Sequence, residues 1–344
     1  MRVLVTGHRG YLGSVLTSVL LHRRHEVFGL DIDWFTGCDF GRTRQDVACF
    51  EMDVRDVTFA ELAPFDAVVH LAGLSNDSTG DLDAALTRSV NLESTRKLLS
   101  SCREAGVARF VFASSCSVYG FDASRVLRES DATCPLTVYA QSKIEAERRV
   151  VSAAAKDLTT AVLRFATLYG ISPRLRLDLV ANDFTAAAIC NGRIVLKSAG
   201  HAWRPLVHVE DAARAIAAVL EAPDAIVNGE VFNVVPEGEN YRVIEIADAV
   251  TDVLPRVERV TRHPERDGRS YRVDGSKLTR ALPKFSFRWR LPRGIRQLCS
   301  AFQSNGLTPS DWRSRRFRRA AHMKSLLETG EINSQLRREA FAAA

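Results

Sequence analysis

The sequence predicts an α/β fold in which helices cover both faces of a parallel sheet. An apolar run at residues 3–5 leads into three glycines with three-residue spacing, Gly7, Gly10 and Gly13. An apolar helical pattern follows at 15–21. Strand, glycine turn and helix make a phosphate-binding βα unit, because glycine lets the backbone approach a diphosphate whose charge the helix N-terminus stabilises.

The remaining elements repeat this alternation of short apolar runs and helical patterns, which is typical of a doubly wound sheet. Further strands are predicted at 26–31, 50–56, 67–73, 109–113 and 160–165. After residue 171 the regular alternation ends. Runs at 206–209 and 231–234 are predicted to return to the main sheet as strands, and 213–220 and 243–253 are predicted helices.

The second strand ends in an acidic residue that favours NAD over NADP. Asp31 lies 18 residues beyond Gly13, close to the spacing at which a carboxylate meets the adenosine ribose. A carboxylate there accepts hydrogen bonds from both ribose hydroxyls and repels a 2′-phosphate. Asp33 is placed to share this role. The alternative interpretation is an acid in an ordinary βα turn.

Polar residues around the fifth strand indicate a reactive site. Three serines and a cysteine follow that strand at 114–117, where hydroxyls either bond a substrate oxygen or satisfy a turn. Tyr139 and Lys143 are four residues apart in a predicted helix and therefore lie on one face. At the end of the fourth strand, His70 is interpreted as a structural histidine that is hydrogen-bonded to backbone.

Composition and charge narrow the class of protein. The 344 residues are 46% hydrophobic and carry a formal net charge of +6, which is ordinary for a soluble globular protein. Seven cysteines without a C-x-x-C pair fit a reducing cytoplasm. No apolar run reaches the length of a membrane span, and the early first strand leaves no room for a signal peptide. Five arginines within 313–319 are typical of a solvated helix face, so neither nucleic-acid nor membrane binding is expected.

Together these motifs resemble the extended short-chain dehydrogenase/reductase family, in particular its NAD-dependent nucleotide-sugar epimerases and dehydratases. The resemblance runs from residue 1 to about residue 278 and is weaker beyond. Its motifs are Thr6-Gly7-x-x-Gly10-x-x-Gly13, Asp31, Asp53-Val54, His70-Leu71-Ala72-Gly73, Ser114-Ser115, Tyr139-x-x-x-Lys143, and Arg204 ahead of His208-Val209-Glu210-Asp211.

The resemblance implies a Rossmann lobe that binds NAD and a smaller C-terminal α+β lobe that closes over a nucleotide-diphosphate sugar. The implied NAD-binding domain is 1–171, with 206–236 returning to it. The implied substrate lobe and C-terminal extension are 172–205 and 237–344. The family also suggests a homodimer formed through the helices at 92–105 and 139–151.

Roles for single residues follow from the same resemblance. Tyr139 is expected to be the acid/base, Lys143 to hold the nicotinamide ribose, and Ser115 to bond the sugar oxygen. The expected cofactor contacts are Gly7, Arg9, Gly10, Tyr11, Leu12, Asp31, Asp33, Asp53, Val54, Leu71, Ala72, Gly73, Tyr139 and Lys143. The expected substrate contacts are Ser75, Ser117, Arg174, Asn182, Arg204 and Arg269. No metal ligand is expected.

The chemistry of these residue types supports the assigned roles. A free phenol has a pKa of about 10, which is too high for a base at neutral pH. The Lys143 ammonium and a positive nicotinamide both favour the phenolate that takes a hydroxyl proton. Arg204 and Arg269 suit a diphosphate because the planar guanidinium directs two hydrogen bonds at each phosphate.

Departures from the family narrow the expected reaction. The 4,6-dehydratases carry Asp and Glu directly after the residue that matches Ser115, where this chain has Cys116 and Ser117. Cys116 is interpreted as a packed cysteine, with a thiolate base as the alternative. The leading hypothesis is an epimerase. The runner-up is an NAD(P)H-dependent 4-ketoreductase, and a non-catalytic dinucleotide-binding regulator is kept as a third class.

Overall fold

The computed structural model describes residues 1–41, 45–75, 77–80, 83–261 and 269–338. Its strands are β1 Arg2–Thr6, β2 Glu26–Leu30, β3 Cys49–Phe50, β4 Ala67–His70, β5 Arg109–Ser115, β6 Phe121–Leu127, β7 Thr159–Phe165, β8 Thr167–Tyr169, β9 Arg193–Leu196, β10 Trp203–His208, β11 Glu230–Val234, β12 Asn240–Arg242, β13 Glu258–Thr261 and β14 Ser270–Val273.

Helices occupy much of the remaining described chain. They are α1 Tyr11–His22, α2 Phe59–Leu62, α3 Asp77–Gly80, α4 Ala84–Arg88, α5 Ser94–Glu104, α6 Val138–Ser152, α7 Val180–Asn191, α8 Val209–Glu221, α9 Asp224–Val227, α10 Val243–Val253, α11 Ser276–Ala281, α12 Leu291–Ser304, α13 Pro309–Arg313 and α14 Arg319–Glu328. A π-helical stretch, Ser89–Glu93, joins α4 to α5. None of the helices within the described ranges combines the length and the apolar character that crossing a bilayer requires.

Seven strands form one parallel sheet in the order β11-β7-β5-β4-β1-β2-β3. The strand order reverses at β1, and open α/β sheets bind their ligands outside the C-terminal strand ends at such a switch point. Strands β4 and β7 are buried along their whole length, which explains why continuous apolar runs predict them. The predicted α/β fold with a doubly wound Rossmann sheet is confirmed.

Helices cover both faces of this sheet, and residues of β1 alternate between the two apolar cores. Val3 and Val5 pack in the core that α1 and α8 share, with Leu16 of α1 and Ile216 of α8. Leu4 packs in the opposite core, which α5 and α6 close. Because α6 rests on the sheet, it holds its N-terminal turn near the strand ends.

The region after β7 departs from the predicted sheet order at one strand. Strand β11 pairs with β7 in the main sheet, as the run 231–234 predicts. Strand β10 instead pairs with β8 and β12 in a separate three-stranded sheet. The prediction that 206–209 returns to the main sheet is therefore wrong. A single residue separates strand β8 from β7, β8 lies outside the main sheet, and β10 pairs in parallel with β8.

A further apolar core lies outside the main sheet. Helices α7, α10 and α12 contribute Phe184, Ile246 and Phe302 to it. Most of its residues lie in the ranges that we predict to be the substrate lobe, and Phe40, Tyr169 and Leu206 join it from the predicted NAD-binding domain. The domain boundaries themselves stay a prediction.

The last described residues fold back onto the first lobe. Met323 and Leu326 of α14 share a buried cluster with Leu74, and Trp34 packs against it. Arg319 at the start of α14 is only 3% exposed. The expectation of a solvated arginine face holds for Arg313, which is exposed, and is wrong for Arg319.

Candidate active site

A cleft at the C-terminal ends of the main-sheet strands gathers most of the predicted site residues. The cofactor contacts that line it are Gly7, Arg9, Gly10, Tyr11, Leu12, Asp31, Asp33, Asp53, Val54, Leu71, Ala72, Gly73, Tyr139 and Lys143. Ser115 lines it as well, and so do the expected substrate contacts Ser75, Ser117, Arg204 and Arg269. The cleft thus lies where the sheet topology predicts a ligand site.

The glycine turn between β1 and α1 leaves room for phosphate oxygens. Gly7 has a φ of +74°, and a Cβ there would lie 2.8 Å from the Ala72 nitrogen. A Cβ at Gly13 would overlap the Gly7 carbonyl oxygen. Both positions therefore require glycine. Helix α1 begins at Tyr11 without a side-chain cap, so its first backbone N–H groups can bind a diphosphate.

Asp31, directly after β2, presents a carboxylate to the cleft. Its oxygens accept hydrogen bonds from the backbone N–H of Arg9 at 2.9 Å and from that of Asp33 at 2.8 Å. Burial raises the pKa of Asp31, whereas these two N–H groups favour the carboxylate. The Arg9 guanidinium forms an ion pair with Glu51 at 2.7 Å. Because Glu51 already balances its charge, Arg9 is not left to bind a 2′-phosphate. This arrangement favours NAD over NADP.

Asp53 explains why the third strand is short. The pattern predicts a strand to residue 56, but β3 ends at Phe50. The Asp53 carboxylate accepts hydrogen bonds from the backbone N–H of Arg55 at 2.8 Å and from its Nε at 2.9 Å. A local turn of this kind competes with strand pairing. It also leaves Asp53 and Val54 on the cleft wall.

Tyr139, Ser115 and Lys143 converge in the cleft. The Thr137 side chain caps α6, so Tyr139 lies in its first turn. Tyr139 and Ser115 both line the cleft, and the Ser115 side chain lowers the pKa of the phenol. Lys143 lies one turn further along, with its Nζ 6.0 Å from the centroid of the Tyr139 ring. The same Nζ donates to the Ala113 carbonyl oxygen at 3.0 Å, which ties α6 to β5.

Burial shifts the pKa values of Tyr139 and Lys143 in the directions that disfavour their charged forms. It raises the pKa of Tyr139 to about 12, helped by the Asp77 carboxylate and opposed by the Ser115 side chain and the Arg176 charge. It lowers the pKa of Lys143 to about 8. Lys143 is therefore still mostly protonated at neutral pH. A phenolate at Tyr139 needs additional positive charge beside it.

The surroundings of Cys116 and His70 exclude both as catalysts. Cys116 is fully buried, and its thiol donates to the Arg164 carbonyl oxygen at 3.3 Å. Burial raises the pKa of that thiol, so the thiolate alternative is not supported. His70 lies between the hydroxyls of Thr6 and Thr95 at 2.7 and 3.0 Å, and burial lowers its pKa to about 3. It is a structural histidine, although its partners are hydroxyls rather than backbone.

Arg204 and Arg269 meet on the wall of the cleft that the second lobe provides. The Nη1 of Arg204 donates to the carbonyl oxygens of Trp203 at 2.8 Å and of Arg269 at 2.5 Å. Arg269 forms an ion pair with Asp77. Both arginines line the cleft, and such a pair suits a diphosphate because each guanidinium presents a planar set of donors.

Arg174 and Asn182 do not line the cleft, and their predicted role is corrected. Arg174 is fully buried and donates to the Asp33 carboxylate at 2.9 Å. Asn182 is also fully buried and accepts from the Gly170 N–H while donating to the Arg176 carbonyl oxygen, both at 2.9 Å. Protein partners engage both side chains beneath the cleft wall. In this structure they support the loop after β8, and neither is among the residues that line the cleft.

Two cleft arginines are absent from the residues that the sequence predicts. Arg176 donates two hydrogen bonds of 2.9 Å to Asp178 and one of 3.3 Å to the Ser75 hydroxyl. Arg319 reaches the cleft from α14. Arg176 is only two residues from Arg174, so sequence spacing alone does not show which of the two lines the cleft. The sequence around Arg319 does not indicate a ligand-binding role, because the neighbouring arginines form a pattern that is typical of a solvated helix face.

The fold and the cleft define a dinucleotide-dependent enzyme of the short-chain dehydrogenase/reductase type. Residues 3–235 match the model of the NAD dependent epimerase/dehydratase family, and the chain belongs to that family. Its cofactor is accordingly NAD. The glycine turn, the uncapped start of α1 and the Asp31 carboxylate fit that group.

Three known proteins illustrate the relationship. The uncharacterized UDP-glucose epimerase YtcB of Bacillus subtilis is 28% identical over 270 residues, which cover 74% of this chain and 83% of that protein. The UDP-glucose 4-epimerase of Thermus thermophilus in complex with NAD is 27% identical, with a TM-score of 0.75 over 88% of this chain and 99% of that chain. MoeE5 in complex with UDP-glucuronic acid and NAD is 27% identical, with a TM-score of 0.77 and the same coverage.

Proposed function

We propose that this protein is an NAD-dependent epimerase of nucleotide-diphosphate sugars that works through a transient keto sugar, with Tyr139 as the acid/base. The observation that carries the proposal is that Tyr139, Ser115 and Lys143 line one cleft together with the glycine turn and Asp31. The Lys143 Nζ lies 6.0 Å from the centroid of the Tyr139 ring. A reacting hydroxyl can be held there beside a base and next to a dinucleotide site.

The proton chemistry belongs to Tyr139. NAD, when bound, supplies a positive ring that accepts a hydride from the sugar carbinol and returns it. As the carbinol is oxidised, the Tyr139 phenolate takes the hydroxyl proton, and it gives the proton back in the reverse step. Arg176 already lowers the raised pKa of Tyr139, and Lys143, whose Nζ lies 6.0 Å from the ring centroid, adds positive charge that favours the phenolate. Ser115 donates to the sugar oxygen and orients it.

The sugar nucleotide is held by the opposite wall in this proposal. Arg204 and Arg269 bind the diphosphate, for which Arg269 exchanges its ion pair with Asp77. The Ser117 Oγ is buried and lacks a hydrogen-bond partner among the described residues, and it lines the cleft. A sugar hydroxyl would satisfy it, since buried polar atoms are nearly always hydrogen-bonded.

Net dehydration is disfavoured by the groups that follow Ser115. Elimination of water needs a base for the proton beside the carbonyl and an acid for the departing hydroxyl. Cys116 is buried against the Arg164 carbonyl oxygen and does not line the cleft. Ser117 lines it, but an ordinary hydroxyl supplies neither acid nor base at neutral pH.

A cofactor-omission assay separates epimerisation from reduction. Purified protein is incubated with UDP-glucose or UDP-glucuronic acid, which known members of the structural group bind, and no dinucleotide is added. Formation of the C4 epimer supports the proposal. Turnover only with stoichiometric NAD(P)H would instead assign a 4-ketoreductase, and dinucleotide binding without any turnover would favour a regulator.

Replacing Tyr139 by Phe tests the assigned acid/base directly. Loss of general acid–base catalysis lowers kcat by about 10²- to 10⁴-fold, while NADH affinity measured by fluorescence stays near that of the unmodified enzyme. The matched control is Tyr241→Phe, because the Tyr241 hydroxyl donates to Glu239 at 2.9 Å and does not line the cleft. Equal losses of binding and turnover in Tyr139→Phe would contradict the role.

The homodimer and the cytoplasmic location stay predictions from the sequence. The exposed side of α6 carries Glu145, which pairs with Arg88 of α4 at 3.0 and 2.8 Å. On α5, Arg96 pairs with Glu93 at 2.9 Å. A dimer through these helices would therefore bury charged side chains. Light scattering at several salt concentrations measures whether it forms.

A further inference from the structure

The C-terminal residues 319–338, here called the C-terminal strap, cross one end of the cleft. The strap consists of α14 and the irregular residues 329–338. It packs on the loops that follow β2, β3 and β4. Those three loops carry Asp33, Asp53 and Leu71 among the cleft residues assigned to the cofactor.

Hydrogen bonds attach the strap to the loop after β2. The Trp34 indole donates to the Leu336 carbonyl oxygen at 3.0 Å, and Arg338 donates to the Asp33 carbonyl oxygen at 2.7 Å. From the other side, the His322 ring is 3.0 Å from the Trp34 carbonyl oxygen. Both ends of the strap are therefore held on the same loop.

The loop after β3 is coupled to the strap through Arg55. Its guanidinium bonds the Asp53 carboxylate and also donates to the Gln335 carbonyl oxygen at 2.9 Å. One residue further along the loop, Asp56 forms an ion pair with Arg337, with an Nη2–Oδ1 distance of 3.0 Å. The Arg55 guanidinium therefore connects the Asp53 carboxylate of the cleft to the backbone of the strap.

Apolar packing joins the strap to the loop after β4. Leu74 is buried in one cluster with Met323, Leu326 and Ile332, each at most 5% exposed. Burying large aliphatic side chains removes apolar surface from water and stabilises the contact. The strap is therefore a packed part of the fold, and it can open only by exposing this cluster.

Arg319 is the strap residue that reaches the cleft. Its guanidinium lies 3.8 Å from the centroid of the Phe35 ring and donates to the Arg174 carbonyl oxygen at 3.1 Å. Its Nη1 is buried and has no hydrogen-bond partner among the described residues. A buried cation with an unsatisfied donor on a ligand cleft is a binding group for an anion.

The charges around Arg319 support that reading. Burial lowers its pKa to about 9, and Arg176 acts in the same direction. Asp178 opposes the shift but is already bonded to Arg176, and Arg174 adds further positive charge. A negatively charged ligand group would relieve this excess of positive charge.

We propose that the C-terminal strap encloses the bound dinucleotide and slows its release, and that Arg319 binds a phosphate group of the ligands in the cleft. The proposal rests on the NAD dependence of the family and holds for an epimerase or a reductase alike. Dinucleotide release then requires the strap to leave the loops after β2, β3 and β4.

The strap is tested in the full-length chain by removing its outer anchors. In the double variant Arg337→Ala/Arg338→Ala, NADH that is chased with excess NAD should dissociate about tenfold faster or more, because charge-assisted hydrogen bonds are lost. Arg313→Ala is the matched control, since this exposed arginine lies outside the strap. A double variant that unfolds at the same temperature and releases NADH at the unmodified rate overturns the strap.

Arg319→Gln is measured on two ligands without any turnover. The rate of NADH release shows whether Arg319 binds a phosphate of the dinucleotide. The affinity for UDP in saturating NAD shows whether it binds a phosphate of the sugar nucleotide. A change of about tenfold in one of them supports anion binding and identifies the source. No change in either overturns the role of Arg319.

A measurement on the unmodified protein covers the case in which variants fold poorly. Lys324 lies on α14 with 69% of its side chain exposed, so trypsin can cut there when the strap opens. Saturating NAD should slow cleavage at Lys324 several-fold and leave cleavage at the exposed Arg313 unchanged. Equal rates with and without NAD contradict the strap, whatever reaction the enzyme catalyses.

Discussion

Glu147 and Arg164 form a buried ion pair beneath the strand end that carries Ser115. The Arg164 Nε lies 3.1 and 3.0 Å from the two Glu147 oxygens, and Nη2 donates to one of them at 2.8 Å. The Ser114 hydroxyl donates to the same carboxylate, and Arg164 Nη1 donates to the Tyr119 hydroxyl at 2.9 Å. This network joins the helix of Tyr139 to two central strands.

Breaking this pair should destabilise the protein strongly. Glu147→Ala leaves the Arg164 guanidinium buried without its partner, which costs about 3–5 kcal/mol. Urea unfolding measures the loss. The control is Glu93→Ala, which removes the exposed pair with Arg96 and should cost less than about 1 kcal/mol. Similar losses in both variants would mean that the network does not hold the helix in place.

Cys116 should be dispensable for catalysis. Its thiol is buried and bonded to the backbone of β7, so Cys116→Ala should keep kcat within about threefold of the original value. In the native enzyme a thiol reagent should modify the exposed Cys134 first and leave Cys116 unreacted. Turnover that vanishes in Cys116→Ala, with NADH binding kept, would restore the thiolate mechanism.

Asp31 should control the choice between NAD and NADP. Asp31→Ala removes the carboxylate that accepts the ribose hydroxyls, which lowers NAD affinity roughly 10- to 100-fold. NADP affinity should fall less or rise, because the repulsion of its 2′-phosphate also disappears. Titration of NADH and NADPH fluorescence gives both constants. Glu51→Gln, which alters only the exposed partner of Arg9, should leave NADH affinity nearly unchanged.

His208 should make the protein sensitive to acid. Its ring stacks on Trp289 at 4.0 Å and bonds Gln297 at 2.8 Å, and burial lowers its pKa to about 4. An unfolded histidine titrates near pH 6.5. Between about pH 6.5 and 4 the unfolded state binds the extra proton, so stability falls as the pH drops, by up to about 1.4 kcal/mol per pH unit.

The variant His208→Gln removes this contribution. Its free energy of unfolding should fall less steeply between pH 6.5 and 4 than that of the unmodified protein. Above pH 7 the two profiles should run parallel, because the histidine is neutral in both states. An unchanged acid slope would show that His208 gains its proton while folded.

Much of the NAD-binding lobe was predictable because its determinants are local. The glycine spacing before α1, the acid after β2 and the four-residue interval between Tyr139 and Lys143 each act within one strand–turn–helix unit. Continuous apolar runs predicted β4, β5 and β7 because strands covered on both faces have no polar side. The apolar pattern predicted a β3 that is too long, because it contains no indication of the turn that Asp53 makes with Arg55.

The parallel sheet, the glycine cradle and the Tyr-x-x-x-Lys pair could be predicted from the amino-acid sequence, because residue type and period specify these features over a few positions. Which arginines line the cleft depends on the packing of the folded chain. Arg174 is drawn beneath the cleft by Asp33, and Arg319 is brought into it by the packing of the strap. Whether a guanidinium lines the cleft or is paired with a carboxylate beneath it depends on residues that lie far away in the chain.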